Sequence, residues 1–279
     1  MSKVWLITGC SSGFGSLLAE AAAQRGDHVV ATARDVSKLD RLVAAHPENI
    51  VPTMLDVTRP ETAQDALALA QDRFGGIDIL VNNAGYGFIG ALEEGAPEEY
   101  RPMFETNVFG LIETTRAALP TLRARRGTIV NFSSAAGISG SAGSTYYNAT
   151  KFAVEGLSEG LAREVAPLGV KVMIVEPGPF RTSFLGRSIS VAAREMPEYA
   201  ETAGRRRNYR DTNDGQQAGD PHKAVAVIMR ALDAERTPLH LPLGPNAFRV
   251  ADAKLASFGA DIEAWRPIAI ATDFDPEQS

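Results

Sequence analysis

The chain carries a single cysteine, Cys10, among its 279 residues. No disulfide can form within it, which excludes the small bridge-stapled secreted folds and fits a reducing, cytoplasmic setting. Cys10 itself reads as a small turn residue rather than a reactive thiol. Histidine is scarce too. His28, His46, His222 and His240 are scattered and show no ligand spacing for zinc, so no metal is expected. Neither sign of charge dominates. The formal net charge of −6 offers nothing to nucleic acid or to an anionic membrane. No apolar run approaches the roughly 20 residues that span a bilayer. The opening MSKVWLITGC ends in a glycine turn, so it reads as a buried first strand and not as a signal peptide.

What is present is alternation. Short apolar runs fall at Val4–Ile7, Val29–Ala33, Val51–Leu55, Ile77–Val81, Thr128–Phe132 and Val170–Val175. Helical patterns lie between them, at Ser16–Gln24, Val36–Ala45, Glu61–Phe74, Pro97 to about Arg125, and about Thr145 to Ala166. Runs rich in valine and isoleucine, apolar at nearly every position, suit strands buried on both faces. The alternation predicts an α/β fold: a doubly wound parallel sheet of about seven strands with helices on both faces, forming a single domain over residues 1–279. Past Phe180 the pattern changes. Gly186–Asp220 is polar, arginine-rich and weakly periodic, and residues 184–220 are expected to form a substrate lid. A helix at Pro221–Ala234, a last strand at Leu239–Leu243 and a final helix around Pro245–Phe258 follow. Residues 261–279 are expected to form a loose, acidic tail.

The segment LITGCSSGFG joins the first strand to the first helix, with glycines at Gly9, Gly13 and Gly15. Glycines here allow tight turns and close approach of a pyrophosphate, and the helix N-terminus offers free N–H groups and a positive dipole end to that anion. The context of strand, turn and helix makes this more than a chance glycine turn.

The spacing is TGxxxGxG, and with it the sequence resembles the short-chain dehydrogenases/reductases, a family of Rossmann-type oxidoreductases. Further landmarks follow in order: Asn82-Asn83-Ala84-Gly85 after the fourth strand, Asn107 in the next helix, Ser134 after the fifth strand, Tyr147-Asn-Ala-Thr-Lys151 opening a helix, and Pro177-Gly178-Pro179-Phe180-Arg181-Thr182 after the sixth strand. The resemblance covers about Lys3 to Thr182 and is closest to the 17β-hydroxysteroid-dehydrogenase-like subgroup. It implies a nicotinamide cofactor held by Gly9, Ser11, Ser12, Gly13, Phe14 and Gly15, by Asp56 and Val57 near the adenine, by Asn83, Ala84 and Gly85, by Tyr147 and Lys151, and by Pro177, Gly178, Phe180 and Thr182. Asp56 reads equally as a turn or capping residue.

The ribose pocket after the second strand decides the cofactor. An acid there hydrogen-bonds the 2′-hydroxyl of NAD, whereas a guanidinium suits the 2′-phosphate of NADP. Ala33 stands where NAD-type relatives carry the acid, and Arg34 follows it, which favours NADP(H). Asp35, roughly twenty residues after the last glycine, is the competing ribose acid and would favour NAD(H). Ser12 stands where NADP-preferring relatives often carry a second basic residue.

Hydride transfer to a ketone builds negative charge on oxygen, so the site must supply a proton and stabilise the oxyanion. A free tyrosine, with a pKa of about 10, is a poor acid–base group at neutral pH, and a fixed positive charge beside it favours the phenolate. Tyr147 and Lys151 are four apart and share one face of a helix. By resemblance Tyr147 donates the proton in reduction and accepts it in oxidation, Lys151 also holds the nicotinamide ribose, Ser134 bonds the substrate oxygen, and Asn107 holds a water that connects Lys151 to solvent. Ser134 precedes Tyr147 by thirteen residues, the interval the family shows. Tyr146 is the rival tyrosine, but Thr150 and not lysine follows it four residues on; Ser133 is the rival serine.

The expected partner is a small carbonyl or secondary alcohol. Tyr86, Phe88, Ile89 and Phe180 would give an apolar pocket wall or serve as ordinary packing. The Arg205–Arg207 run reads as a solvated face. The resemblance also implies a homodimer or homotetramer built on the two long helices after strands four and five, and Trp265 and Phe274 offer aromatic contacts to a neighbouring subunit. The competing reading is an idle NADP-binding sensor or partner-binding protein. Loss of Tyr147 or Lys151 would mark one, and both residues are present.

Overall fold

A computed structural model describes residues 2–274. The first strand, β1 (Val4–Ile7), leads into α1 (Gly13–Gln24), then β2 (His28–Ala33), a single 3₁₀ turn at Val36–Leu39, α2 (Asp40–Ala45), β3 (Ile50–Met54), α3 (Pro60–Phe74) and β4 (Ile79–Asn82). After a short β5 (Gly87–Ile89) come α4 (Pro97–Phe104), a π-helical turn at Glu105–Phe109 and α5 (Gly110–Arg125). The chain continues through β6 (Thr128–Phe132), α6 (Ala135–Ile138), α7 (Thr145–Val165) and β7 (Lys171–Pro177). The remaining elements are α8 (Phe184–Arg187), β8 (Ile189–Val191), α9 (Arg205–Asn213), α10 (Pro221–Asp233), β9 (His240–Leu243) and α11 (Gly244–Ala269).

Seven strands form one parallel sheet in the order β3-β2-β1-β4-β6-β7-β9. The fold is therefore the doubly wound, Rossmann-type α/β sheet expected from the alternation. Period two in each strand explains both layers. Trp5 and Ile7 face one side and pack with Leu18, Ala22, Val225 and Ile228 of α1 and α10. Val4 and Leu6 face the other and pack with Ala66, Ala70, Ala118 and Leu122 of α3 and α5. Both faces are covered, so the strands can be apolar throughout. The strand order reverses between β1 and β4. Such a switch point opens a crevice at the C-terminal ends of the strands.

A buried polar ladder ties the helices to that crevice's floor. Asn82 Nδ2 donates to Thr115 Oγ1 and to Asn131 Oδ1, each at 2.9 Å, and Asn131 Nδ2 donates to Ser158 Oγ at 2.8 Å. Both amide hydrogens of Asn82 are matched, while its Oδ1 has no partner among the described residues.

The sequence reading falls short at three places. Residues 186–220 lack the periodicity of regular structure, yet they hold α8, β8, a 3₁₀ turn at Pro197–Tyr199, a π-helical turn at Ala200–Gly204 and α9. Each of these short pieces buries few anchors, such as Leu185, Ala192, Ala203 and Arg207, so no periodic signal accumulates. β8 pairs in parallel with β5 as a separate two-stranded sheet. The last helix spans Gly244–Ala269 rather than Pro245–Phe258 and takes up the start of the expected loose tail at Asp261. Beyond Gly259 the good helix formers Ala260, Glu263, Ala264 and Arg266 carry the helix on, and Pro267 limits it soon after. Phe274 is exposed, and the tail's final residues, 275–279, lie outside the described residues.

Candidate active site

The glycine turn sits where β1 leaves the sheet. Gly9 and Gly13 have φ values of +73° and +60°, a region costly for any residue with a Cβ. Gly15 has an ordinary φ, and its reason is different: a Cβ there would run into the Gly9 carbonyl and come within 2.5 Å of Asn83 Nδ2. It lies behind the cavity rather than lining it, and it lets α1 close onto the turn. Thr8 was not singled out in the sequence, yet it pins the arrangement. Its hydroxyl accepts from the N–H groups of Asn83 and Ala84, each at 3.0 Å, while Asn83 Nδ2 donates to the carbonyls of Thr8 and Gly9 at 2.9 and 3.0 Å. Ser12 caps α1 without a side-chain hydrogen bond, so the first-turn N–H groups remain available to an anion.

A cavity of about 1470 Å³ runs across the C-terminal strand ends. It exceeds the roughly 300–1,000 Å³ of a small-molecule pocket, which gives room for a dinucleotide and a substrate together. Gly9, Ser11, Ser12, Gly13 and Phe14 line one end with Arg34, Asp56 and Val57. Asn83, Ala84, Gly85, Ser134, Tyr147, Lys151, Pro177, Gly178, Phe180 and Thr182 line the middle and the other end. Of the expected site residues, Gly15 and Asn107 alone do not line it.

At the ribose end the two competing side chains have separated. Arg34 is exposed and lines the cavity. Asp35 does not; its Oδ1 accepts from Ser37 N at 3.2 Å and Ser37 Oγ at 2.7 Å, capping the 3₁₀ turn that follows. Asp56 lines the cavity, and its Oδ1 accepts from Thr58 N and Oγ1 in its own turn.

At the other end α7 places Tyr147 and Lys151 one turn apart. Lys151 Nζ donates to the Phe132 carbonyl at 2.8 Å and lies 5.7 Å from the centre of the Tyr147 ring. Burial pushes the Tyr147 phenol up to about 12, opposed by the neighbouring Ser134 hydroxyl and the charge of Arg206. Burial lowers the Lys151 ammonium to about 8, opposed by the Glu155 carboxylate. Ser134 caps α6, its Oγ accepting from Ala136 N at 3.2 Å. Tyr146, the rival tyrosine, points away: its hydroxyl donates to the Leu92 carbonyl at 2.7 Å and its ring stacks on Tyr100. Ser133 also reaches the cavity wall, but its buried Oγ has no partner and crowds Gly137 together with Glu155.

Asn107 occupies the π-helical turn, where one surplus residue turns its side chain inward. Its Oδ1 accepts from Tyr86 N at 3.0 Å, and its Nδ2 donates to the Tyr86 carbonyl at 2.8 Å and to Thr150 Oγ1 at 3.2 Å. A Cβ on Gly85 would fall 3.0 Å from Asn107 Oδ1 and 3.8 Å from Lys151 Nζ, so these three groups meet.

Behind Lys151 lies a cluster that single-sequence reading missed, because its members come from three elements. Glu155 of α7, Glu176 of β7 and His240 of β9 bring ligating atoms within 4.8 Å of one another. His240 Nδ1 is 2.8 Å from Glu176 Oε1 and 3.7 Å from Glu155 Oε2. Burial raises both carboxyls above the usual carboxylate range.

One open reading of the cavity's outer wall is decided and one expectation is corrected. Phe88 and Ile89 are buried core residues of β5 and do not line the cavity, whereas Tyr86 and Phe180 do. The Arg205–Arg207 run is not a solvated face. Successive helix positions point about 100° apart. Arg205 is exposed and pairs with Glu201, Arg206 lines the cavity and lies over Tyr209, and Arg207 is buried against Glu94.

The same landmarks match known proteins. The model of the short chain dehydrogenase family matches residues 3–190. The chain belongs to that family. It is 35% identical to the oxidoreductase BOA17 of Botryotinia fuckeliana over 98% of this chain and 100% of that protein. The crystal structure of a short-chain dehydrogenase from Streptomyces avermitilis superposes with a TM-score of 0.92 at 47% identity, covering 98% of this chain and 100% of that one. A short chain dehydrogenase from Burkholderia cenocepacia, solved in complex with NADP, superposes with a TM-score of 0.74 at 27% identity over 94% and 96% of the two chains. This short-chain dehydrogenase is accordingly an oxidoreductase that uses a nicotinamide dinucleotide. No helix among its described residues is long and apolar enough to cross a membrane.

Proposed function

We propose that this dehydrogenase is an NADP(H)-dependent oxidoreductase acting on a ketone or secondary alcohol, with Tyr147 as the general acid and base. One observation carries the reading. A single cavity holds the glycine turn and Arg34 at one end and Tyr147, Ser134 and Lys151 at the other. Bound there, the nicotinamide supplies or takes up the hydride. Gly9, Gly13 and the open N-terminus of α1 hold the pyrophosphate. Arg34 takes the 2′-phosphate, a reading supported by the engagement of Asp35 in its own turn and by the NADP held by the Burkholderia relative. Asp56 and Val57 flank the adenine, Asn83–Gly85 pack along the cofactor, and Pro177–Thr182 close over the nicotinamide.

The proton follows the side chains of α7. With its phenol raised to about 12, Tyr147 is protonated at neutral pH, the form that ketone reduction needs. It gives that proton to the substrate oxygen as negative charge develops, and Ser134 Oγ donates a second hydrogen bond to the same oxygen. The Lys151 ammonium stabilises the phenolate that remains and bonds the nicotinamide ribose. Asn107 holds Gly85 and the Tyr86 backbone beside Lys151, with a water completing the route to solvent. Residues 184–220 cover the substrate, with Tyr86 and Phe180 as apolar walls. The buried, neutral Cys10 suits a cytoplasmic protein. Exposed Phe109 and Phe152, near and on the long helices α5 and α7, support a homodimer or homotetramer through that face.

The test is a paired fluorescence titration with NADPH and NADH, followed by NADPH oxidation against a panel of aliphatic and aromatic ketones. Tighter NADPH binding with ketone-dependent oxidation is expected. Tighter NADH binding would move the ribose contact to Asp35, and binding without turnover of any ketone or alcohol would favour the idle sensor.

A further inference from the structure

The last helix leaves the body of the protein. Ala247 is buried and Asn246 and Val250 line the cavity, so the helix is rooted at the active site. From Asp252 to Ala269 every residue except Gly259 is exposed, on all sides of the helix. At 1.5 Å per residue this arm reaches about 27 Å from its root. A lone helix of that length is marginal in water, and this one exposes Ile268 near its tip and, along one line, Phe248, Leu255, Phe258, Ile262 and Trp265, the last at 65%.

Their spacing is not scattered. Phe248, Ala251, Leu255, Phe258, Ile262, Trp265 and Ala269 follow one another at alternating steps of three and four. That is the heptad repeat of a coiled coil, sustained over three heptads. A lipid surface fits poorly as the occupant. Interfacial helices carry lysine and arginine on the polar face, whereas the arm has Lys254 and Arg266 against Asp252, Asp261 and Glu263, a net charge of −1.

We propose that the arm pairs antiparallel with the arm of a second copy of this chain, about a two-fold axis between Ala256 and Ser257. In that register Leu255 meets the partner's Phe258, Ala251 meets the partner's Ile262, and Phe248 meets the partner's Trp265. The small Ala251 faces the larger Ile262. The parallel alternative stacks Trp265 on Trp265 and Ala251 on Ala251, which leaves layers of unequal width. Flanking charges agree with the antiparallel choice: Lys254 lies beside the partner's Asp261, and the two-fold repeats the pair. The contact is self-complementary, as a two-fold interface requires. It is also separate from the α5 and α7 face. The tip of each arm reaches the root of the other, beside Asn246 and Val250, so the partner completes the rim of each cavity.

The experiment measures assembly mass by light scattering on the full-length protein. Leu255→Glu with Trp265→Glu is expected to halve the mass, because the arm contact is separate from the α5 and α7 face and joins a different pair of copies. Lys254→Glu and Asp261→Lys, each alone, should weaken association about tenfold, and the two together should restore it. Orientation is read by mild oxidation of a mixture of separately tagged Phe248→Cys and Trp265→Cys chains, which should form the mixed disulfide, while Trp265→Cys alone should not cross-link. Cys10 is buried and does not interfere. An unchanged mass in the double glutamate variant would overturn the proposal. So would a monomeric wild type, including one that sediments with phosphatidylcholine–phosphatidylserine vesicles, or cross-linking of Trp265→Cys to itself.

Discussion

The cavity has a floor and a proposed lid, and the two are held by different means. The floor consists of strand ends and the turns that leave them. Its parts are fixed by backbone: Thr8 and Asn83 bond main-chain groups, and Lys151 bonds the Phe132 carbonyl. The lid, from Phe184 onward, is tied by one short strand pairing, β8 with β5, and by side chains that reach far across the sequence. Arg207 pairs with buried Glu94, and Glu94 also accepts from Ala91 N and Met196 N. A floor made of backbone constrains the chemistry and tolerates little change. A lid tied by one short strand pairing and a few side chains can change its lining without disturbing that chemistry.

The comparison is broken or sharpened by substitution. The largest effect on rate is expected at the floor: Tyr147→Phe should lower kcat for ketone reduction about 10²- to 10⁴-fold while NADPH affinity, read by fluorescence titration, stays unchanged. The largest effect on stability is expected at the lid. Arg207→Ala leaves Glu94 buried and uncompensated, at a cost of about 3–5 kcal/mol. Calorimetry should show Tm falling by roughly 10 °C, with NADPH affinity little altered. If that variant instead loses cofactor affinity and keeps its Tm, the division into floor and lid fails.

Smaller effects refine the floor. Arg34→Ala should weaken NADPH binding about 10- to 100-fold and leave NADH binding nearly unchanged, since one charge-assisted phosphate contact is removed. The least effect is a shift in pH dependence. With the Lys151 ammonium lowered to about 8, kcat/KM for reduction should fall as pH rises through that value. Glu155 favours the charged lysine, so Glu155→Gln should move the fall to lower pH, by less than about one unit. The same lowering has a sign for stability. Between about 8 and the ordinary 10.5 the unfolded lysine binds more proton than the folded one, so this contribution to stability rises with pH.

The floor was legible in the sequence and the lid was not, for the same physical reason. A turn that needs Gly9 and Gly13 at positive φ, or a pair needing Tyr147 and Lys151 one helical turn apart, is specified locally and leaves a spacing behind. Gly15 shares that spacing, but its contact is between α1 and the turn rather than with the cavity, where it was expected. Arg205–Arg207 carries no spacing that distinguishes its three fates; only Glu94, far away in sequence, selects Arg207. The cluster of Glu155, Glu176 and His240 escaped notice likewise, because parallel packing of α7, β7 and β9 brings together residues with no common motif. The reach of α11 was underestimated because an exposed helix has no body-facing stripe to count.

The strand order has a consequence in time. Every strand of the main sheet is parallel to its neighbours, so each pairing waits for an intervening helix, and such distant pairings close slowly. β1 can pair with β2 early, but its other neighbour, β4, follows only after two further helices, and the edge strand β9 comes almost last. The cavity draws residues from Gly9 through Val250. A growing chain therefore has the glycine turn long before it has a place to hold the cofactor, and binding of the dinucleotide reports that folding is complete.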